Sequence, residues 1–115
     1  MPKFEFGDVA IVSFPFSDGI QSKPRPALVL SLGDDGDILF ARITSQRYES
    51  DGDLPLRHWQ QVGLPKSSVV RLSKLTTLQA SRVKRILGRL SELDQEQILS
   101  GLHTFIDSLK PKHQA

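Results

Sequence analysis

Arg25 lies between Pro24 and Pro26, and this setting restricts where its side chain can point. The proline rings fix their own φ at about −65°, and a residue that precedes proline is held in an extended conformation. An arginine held in this way presents a planar fork of charged donors that suits a phosphate group, at any accessible pH. The alternative is an ordinary polar residue where a loop enters a strand.

Thr44, Ser45 and Gln46 are three consecutive hydrogen-bonding side chains at the point where an apolar strand pattern ends. Such residues also occur at strand ends without any functional role, so this alternative stays open. Together with Arg25 they are the candidates for a functional site that the residue types and their order suggest.

Several other chemistries have no support in the sequence. The chain has no cysteine, so disulfides, thiolate metal sites and cysteine nucleophiles are excluded. The three histidines, His58, His103 and His113, are too scattered for a local metal motif. Neither a glycine-rich phosphate loop nor a Gly-x-Ser-x-Gly nucleophile motif is present. We therefore predict neither a metal nor another cofactor.

Short strands dominate the predicted elements that position these residues. Apolar and β-branched runs bounded by glycine, proline and aspartate are typical of strands, and a loop of about ten residues from Pro15 to Pro24 precedes the strand of Arg25. The predicted strands are Gly7 to Phe14, Arg25 to Ser31, Ile38 to Thr44, a short one at 54–56, Ser67 to Leu72 and Arg82 to Leu87.

One amphipathic helix is predicted to close the chain. Ser91 has the character of an N-cap with Asp94 three residues later, and Pro111 stops the helix. A chain of short strands and one helix favours a small, strongly curved sheet or half-open barrel covered by that helix. The apolar stripe of the helix consists of Ile98, Leu102, Phe105, Ile106 and Leu109.

Length and composition indicate one folded domain. The 115 residues are 38% hydrophobic and 24% charged, which is the size and composition of a single globular core. We expect an ordered core over residues 4–109 and a flexible tail at 110–115. No apolar run has membrane-helix length, and the N-terminus lacks a signal-peptide pattern, so a cytoplasmic protein is expected.

Charge is segregated along the chain although the net charge is only +2. Residues 57–89 contain eight basic residues and no acidic one, whereas residues 34–53 contain six acidic residues and two arginines. A basic half of this kind is typical of a protein that binds a phosphate backbone or an acidic peptide. A solvated strand face without a partner is the alternative.

A series of short motifs in order resembles the PemK/MazF family of toxin endoribonucleases, from about residue 4 to residue 109. Each motif is weak alone, and the ordered series is what makes the resemblance specific. The motifs are Gly7-Asp8-Val9, Arg25-Pro26-Ala27-Leu28-Val29-Leu30-Ser31, Ile43-Thr44-Ser45, Trp59 with Gly63-Leu64, Ser67 with Val69-Val70-Arg71, Leu75-Thr76-Thr77-Leu78 and Gly88-Arg89-Leu90-Ser91.

The resemblance implies a mainly β fold of the α+β class: a small SH3-like barrel of about five to seven strands with a C-terminal amphipathic helix. It also implies a homodimer that cuts single-stranded RNA at short sequences without a metal ion. A partner antitoxin with an acidic, flexible tail would hold such a toxin inactive.

The same resemblance implies catalytic roles for Arg25 and Thr44. In such an enzyme the ribose 2′-hydroxyl attacks the adjacent phosphate, and a guanidinium and a hydroxyl stabilise the charge that develops. DNA lacks this hydroxyl and cannot react in this way. The residues predicted to bind RNA are Phe16, Ser17, Lys23, Ser45, Gln46, Arg71, Ser73 and Lys74.

Ser73 is a departure from the family pattern, because many members have an acidic residue at this position. A serine is no general base near neutral pH, so slow cleavage is expected unless Asp18 or Glu49 supplies that function. Two other functions remain as alternatives: a non-catalytic protein-binding toxin of the type that poisons DNA gyrase, and a degenerate nucleic-acid-binding module of the same fold. The presence of both Arg25 and Thr44 favours the nuclease.

Overall fold

The computed structural model describes residues 3–15, 19–46, 52–109 and Pro111. Its elements in chain order are β1 (Asp8–Pro15), β2 (Ser22–Leu32), β3 (Asp37–Thr44), β4 (Asp53–Pro55), β5 (Val69–Gln79), a 3-10 turn (Ala80–Arg82), β6 (Val83–Arg89) and α1 (Glu92–Asp107). The strands form one antiparallel sheet in the order β4-β5-β3-β2-β1-β6. The predicted mainly β fold with five to seven strands and a C-terminal helix is confirmed, and within the described ranges the sheet is open rather than closed.

The second strand begins three residues earlier than predicted, so the loop before it is shorter. Ser22, Lys23 and Pro24 already pair with the end of β1. The ladder between β2 and β3 begins only at Ala27. Pro24 and Pro26 therefore lie at the start of the strand, where it pairs on one side, which is where a missing N–H is tolerated.

The fifth strand is nearly twice as long as the predicted one. A bulge divides it, and the predicted strand ends at that bulge. Arg42 pairs with Arg71, whereas its neighbour Ala41 pairs with Leu75. Residues 72–74 of β5 therefore lie opposite a single step of β3. A bulge of this kind breaks the alternation of apolar and polar residues, which explains why the sequence pattern ends at Leu72.

Two hydrophobic clusters lie on the two faces of the sheet, as the period of two along a strand requires. The first packs between the sheet and α1 and includes the fully buried Leu28 and Ile98. The second, on the opposite face, includes the adjacent Val29 together with Phe40. The sheet is thus covered by α1 on one face only.

The helix begins as predicted and uses part of its predicted stripe. The Ser91 hydroxyl accepts the backbone N–H of Asp94 at 3.2 Å, which caps the first turn. Ile98 is buried and Phe105 packs against the first cluster, but Ile106 and Leu109 are 61% and 64% exposed. In the described ranges no helix has the length and hydropathy of a membrane span.

Candidate active site

A pocket of about 210 Å³ at the end of β3 contains both residues predicted to be catalytic. Its volume lies below the roughly 300 Å³ at which pockets for drug-sized ligands begin. It therefore fits a small group such as one phosphate. The lining residues are Arg25, Pro26, Ile43, Thr44, Ser45, Leu64, Pro65, Lys66 and Ser68.

Strand register explains why Arg25 and Thr44 meet. Ala27 of β2 pairs with Arg42 of β3 in an antiparallel ladder. Arg25 and Thr44 each lie two residues beyond this last pair, so they are on the same face of the sheet at the adjoining ends of the two strands. Two residues that are far apart in the sequence are thus neighbours in the fold.

The Thr44 hydroxyl is oriented by the turn that follows β3. Its Oγ1 accepts the backbone N–H of Gln46 at 3.1 Å, the side-chain turn that threonine commonly makes. A hydroxyl has one proton and two acceptor positions. In the hydrogen bond with Gln46 the Thr44 oxygen is the acceptor. The Thr44 hydroxyl proton is therefore available to donate to an anion.

Arg25 is a half-buried cation whose guanidinium has neither an ion pair nor a hydrogen bond within the described ranges. Among the described residues, those that line the pocket include a second cation, Lys66, and no carboxylate. Partly buried charges are normally paired. A phosphate would supply a counter-charge for Arg25.

Two further basic residues share the sheet face of Arg25. Lys23 lies two residues before Arg25 on β2, and Arg42 lies two residues before Thr44 on β3. The Arg42 guanidinium lies 5.9 Å from the centroid of the Phe14 ring, a cation–π contact. This face of the sheet is therefore basic beside the pocket.

The eight basic residues of the segment 57–89 do not form one surface. Arg71, predicted to bind RNA, donates from Nε to Asp53 Oδ1 at 3.0 Å, and the two side chains are only 13% and 6% exposed. Arg89 forms ion pairs with Glu5 and Asp8 at the other edge of the sheet. Arg71 and Arg89 are thus engaged in ion pairs within the chain.

Ser73 and Lys74 are exposed on the β5 bulge. Their place along the sheet corresponds to Ala41 and Arg42, two to three residues from Thr44. At 3.3 Å per residue this is about 7–10 Å along the strand. This distance is longer than the hydrogen bond through which a general base takes up a proton. A side chain at position 73 is therefore too far along the strand to act as the base on a group bound by Thr44.

Four residues named in the sequence predictions lie outside the described residues. They are Phe16 and Ser17, predicted to bind RNA, and Asp18 and Glu49, the candidate general bases. The pocket described above is therefore built from the remaining predicted residues, of which Arg25, Thr44 and Ser45 line it and Gln46 bonds to Thr44.

Lys66 and Ser68 are pocket residues that the sequence predictions did not include. Both lie on the connection between β4 and β5, after Gly63-Leu64-Pro65. Their signal in the sequence was weak: Lys66 was only one of eight basic residues in its segment.

Histidines and carboxylates do not cluster as metal ligands do. His58 Nδ1 lies 2.7 Å from Ser91 Oγ, at the start of α1. No group of three or more His, Cys, Asp or Glu residues suited to a metal ion occurs within the described ranges. The described site thus offers cations and hydroxyls rather than metal ligands.

A larger groove of about 580 Å³ lies along β6, away from the predicted site residues. Leu32 and Ile86, which are 43% and 44% exposed, contribute to its apolar lining. Its polar lining residues, Ser81, Lys84 and Arg85, are not among the residues predicted to be catalytic or to bind RNA. We therefore take the smaller pocket as the candidate active site.

Comparisons with solved structures agree with this architecture. An endoribonuclease in complex with its cognate antitoxin, from a mycobacterial species, superposes with a TM-score of 0.72 at 17% identity, covering 95% of this chain and 100% of the other. A MazE-MazF complex from Deinococcus radiodurans gives 0.73 at 21% identity, covering 93% and 98%. The Mycobacterium tuberculosis toxin MazF-mt6 gives 0.68 at 21% identity, covering 87% and 96%. At these identities the likeness shows a shared fold.

The sequence comparison with family models is more specific than the structural one. A comparison with curated proteins gives no match. The model of the PemK-like, MazF-like toxin of type II toxin-antitoxin systems matches residues 5–106, nearly the full chain. The chain therefore belongs to the PemK-like, MazF-like toxin family of type II toxin-antitoxin systems.

Proposed function

We propose that this toxin is a cytoplasmic endoribonuclease that cuts single-stranded RNA in the pocket of Arg25 and Thr44. The observation that carries the proposal is the half-buried Arg25, without an ion pair in the described ranges, beside a hydroxyl whose proton is free to donate. A scissile phosphate is an anion to which Arg25 and Thr44 can both donate hydrogen bonds. The endoribonuclease activity named for two of the similar structures supports the same reaction class.

The proposed reaction takes its nucleophile from the substrate. The ribose 2′-oxygen forms a bond to the adjacent phosphorus as the bond to the 5′-oxygen breaks, which leaves a 2′,3′-cyclic phosphate and a 5′-hydroxyl end. Negative charge builds on the phosphoryl oxygens, where Arg25 and Thr44 donate hydrogen bonds. The 2′-hydroxyl proton passes to a base, and the leaving 5′-oxygen takes up a proton.

Ser73 was predicted to slow cleavage because a serine cannot act as a general base near neutral pH. Its place on the bulge, about 7–10 Å along the sheet from Thr44, favours an effect on how the RNA lies rather than direct proton transfer. Asp18 and Glu49 are the other candidates for the base.

We further propose a homodimer that uses the exposed face of α1. Leu99 and Ile106 of α1 are 47% and 61% exposed, and their spacing of seven residues places them on one side of the helix. Leu109, two residues after the end of α1, is 64% exposed. Unpartnered apolar residues on one helix face are typical of a protein interface. We also propose that an antitoxin inhibits this toxin, because similar proteins have been solved in complex with an antitoxin. The acidic tail of such an antitoxin would suit the basic face that Lys23 and Arg42 share.

The test is cleavage of long single-stranded RNA by the purified full chain with EDTA present. Single-stranded DNA of the same sequence is the matched substrate control, because it lacks the 2′-hydroxyl. We expect RNA fragments with 5′-hydroxyl ends and intact DNA. RNA that is bound but stays intact would replace the proposal by the nucleic-acid-binding alternative, and cut DNA would refute the mechanism.

A further inference from the structure

The connection between β4 and β5 is an ordered loop that reaches the active-site pocket. Leu64 N–H donates to Trp59 O at 3.2 Å, and Leu56 N–H donates to Ser68 O at 3.0 Å. Gly63 has a φ of +93°, a left-handed conformation that suits glycine at this turn. Internal hydrogen bonds therefore fix the path of this loop before it enters β5.

The loop is also attached to the start of α1 by a buried carboxylate. Asp94 is only 1% exposed, and its two carboxylate oxygens accept the backbone N–H groups of Arg57 and His58, each at 2.9 Å. A carboxylate that accepts backbone N–H groups makes strong, charge-assisted hydrogen bonds. We call this arrangement the Asp94 clasp.

Lys66 is the cation that the loop carries to the pocket. Its backbone carbonyl accepts the Ser68 hydroxyl at 2.7 Å, which fixes the main chain from which the Lys66 side chain projects. Its side chain is exposed and has no ion pair within the part of the chain that is described. Lys66 and Arg25 therefore approach the same pocket from a loop and from a strand.

The described lining residues include the two cations Arg25 and Lys66 and no carboxylate. Like charges around one pocket repel each other, and an anion between them removes this repulsion. A phosphodiester supplies that anion, and a lysine binds it as a flexible point charge that needs no fixed geometry. We propose that Lys66 is a phosphate-binding residue of this active site, held at the pocket by the Asp94 clasp. This inference rests on the proposed function, since it names a further contact to the same substrate.

The test measures binding to an uncleavable probe, so that binding is separate from cleavage. The probe is a mixed-sequence single-stranded oligonucleotide with 2′-deoxyribose throughout, and its affinity for the full chain is measured over a range of salt concentrations. The variants are Lys66→Gln and, as the matched control, Lys84→Gln. Lys84 is an exposed lysine that lines the groove along β6.

Each phosphate that a cation neutralises on a single strand contributes about −0.7 to the slope of log affinity against log salt. Lys66→Gln is therefore expected to flatten the slope by about 0.7, which is a difference of about 2.6-fold between 50 and 200 mM salt. Lys84→Gln should leave the slope unchanged. Equal slopes for the two variants, or no measurable binding by the unmodified chain, would overturn the assignment of Lys66.

Cleavage of single-stranded RNA by the same proteins tells the two proposals apart. If the unmodified chain does not cut RNA but Lys66→Gln flattens the slope, the phosphate contact stands and the proposed reaction fails. If the unmodified chain cuts RNA and Lys66→Gln binds and cuts as Lys84→Gln does, the proposed reaction stands and the Lys66 contact fails.

Discussion

The Asp94 clasp allows a prediction whose size follows from two hydrogen bonds. Both Asp94 oxygens accept backbone N–H groups, from Arg57 and His58, at 2.9 Å, and the side chain is almost fully buried. Asp94→Asn keeps the shape but replaces one acceptor oxygen by an NH2 group. One buried backbone N–H then faces another donor.

A buried donor left without an acceptor costs about 1–3 kcal/mol, and the lost charge at the helix N-terminus adds up to about 1 kcal/mol. We therefore expect Asp94→Asn to lower the free energy of unfolding by about 1–4 kcal/mol. For a domain of this size about 4 °C of Tm corresponds to 1 kcal/mol. The expected decrease in Tm is thus roughly 4–16 °C.

Urea and thermal unfolding of the full chain measure this effect. Glu92→Gln is the matched control, because Glu92 is an exposed carboxylate in the first turn of the same helix and loses the same charge near the same dipole. Only the clasp differs between the two variants. If Asp94→Asn is as stable as Glu92→Gln, the clasp does not stabilise the loop, and our account of how Lys66 is positioned is wrong.

Two further predictions concern the helix face and the general base. Ile106→Asp should give monomers in light scattering with little change in Tm. Phe105→Asp should give monomers and also lower Tm, because Phe105 packs on the core. A stable dimer of Ile106→Asp would contradict the proposed interface. Ser73→Asp should change the cleavage rate at neutral pH by less than tenfold, and Asp18→Asn or Glu49→Gln should lose activity. A gain near 10²-fold in Ser73→Asp would instead make position 73 the site of the base.

Much of the fold was predictable because strands and the helix cap depend on local patterns. The strand that begins near Gly7 and the Ser91 cap follow from alternation and from capping chemistry. The extension of β5 did not, because a bulge set by pairing with Ala41 and Arg42 interrupts the pattern. Pairing partners are distant in sequence and leave no local signal.

The site shows the same division between local and long-range information. Arg25 and Thr44 could be selected from their types, their positions at strand ends and the family resemblance. Lys66 could not, because its place at the pocket depends on a loop held by Asp94, whose partner Arg57 is 37 residues away in the sequence. No periodicity or motif encodes a contact of that kind.

The most direct test of the central claim is the single-turnover cleavage rate of Arg25→Ala on single-stranded RNA with EDTA present. Arg85→Ala is the matched control, since Arg85 is an exposed arginine that lines the groove along β6. Loss of one donor to the transition state usually lowers the rate by about 10²–10³-fold. We expect a decrease of this size for Arg25→Ala, with an unchanged Tm. Arg85→Ala should cleave at a near-normal rate. Cleavage by Arg25→Ala within about threefold of the unmodified chain, far short of that loss, would contradict the account.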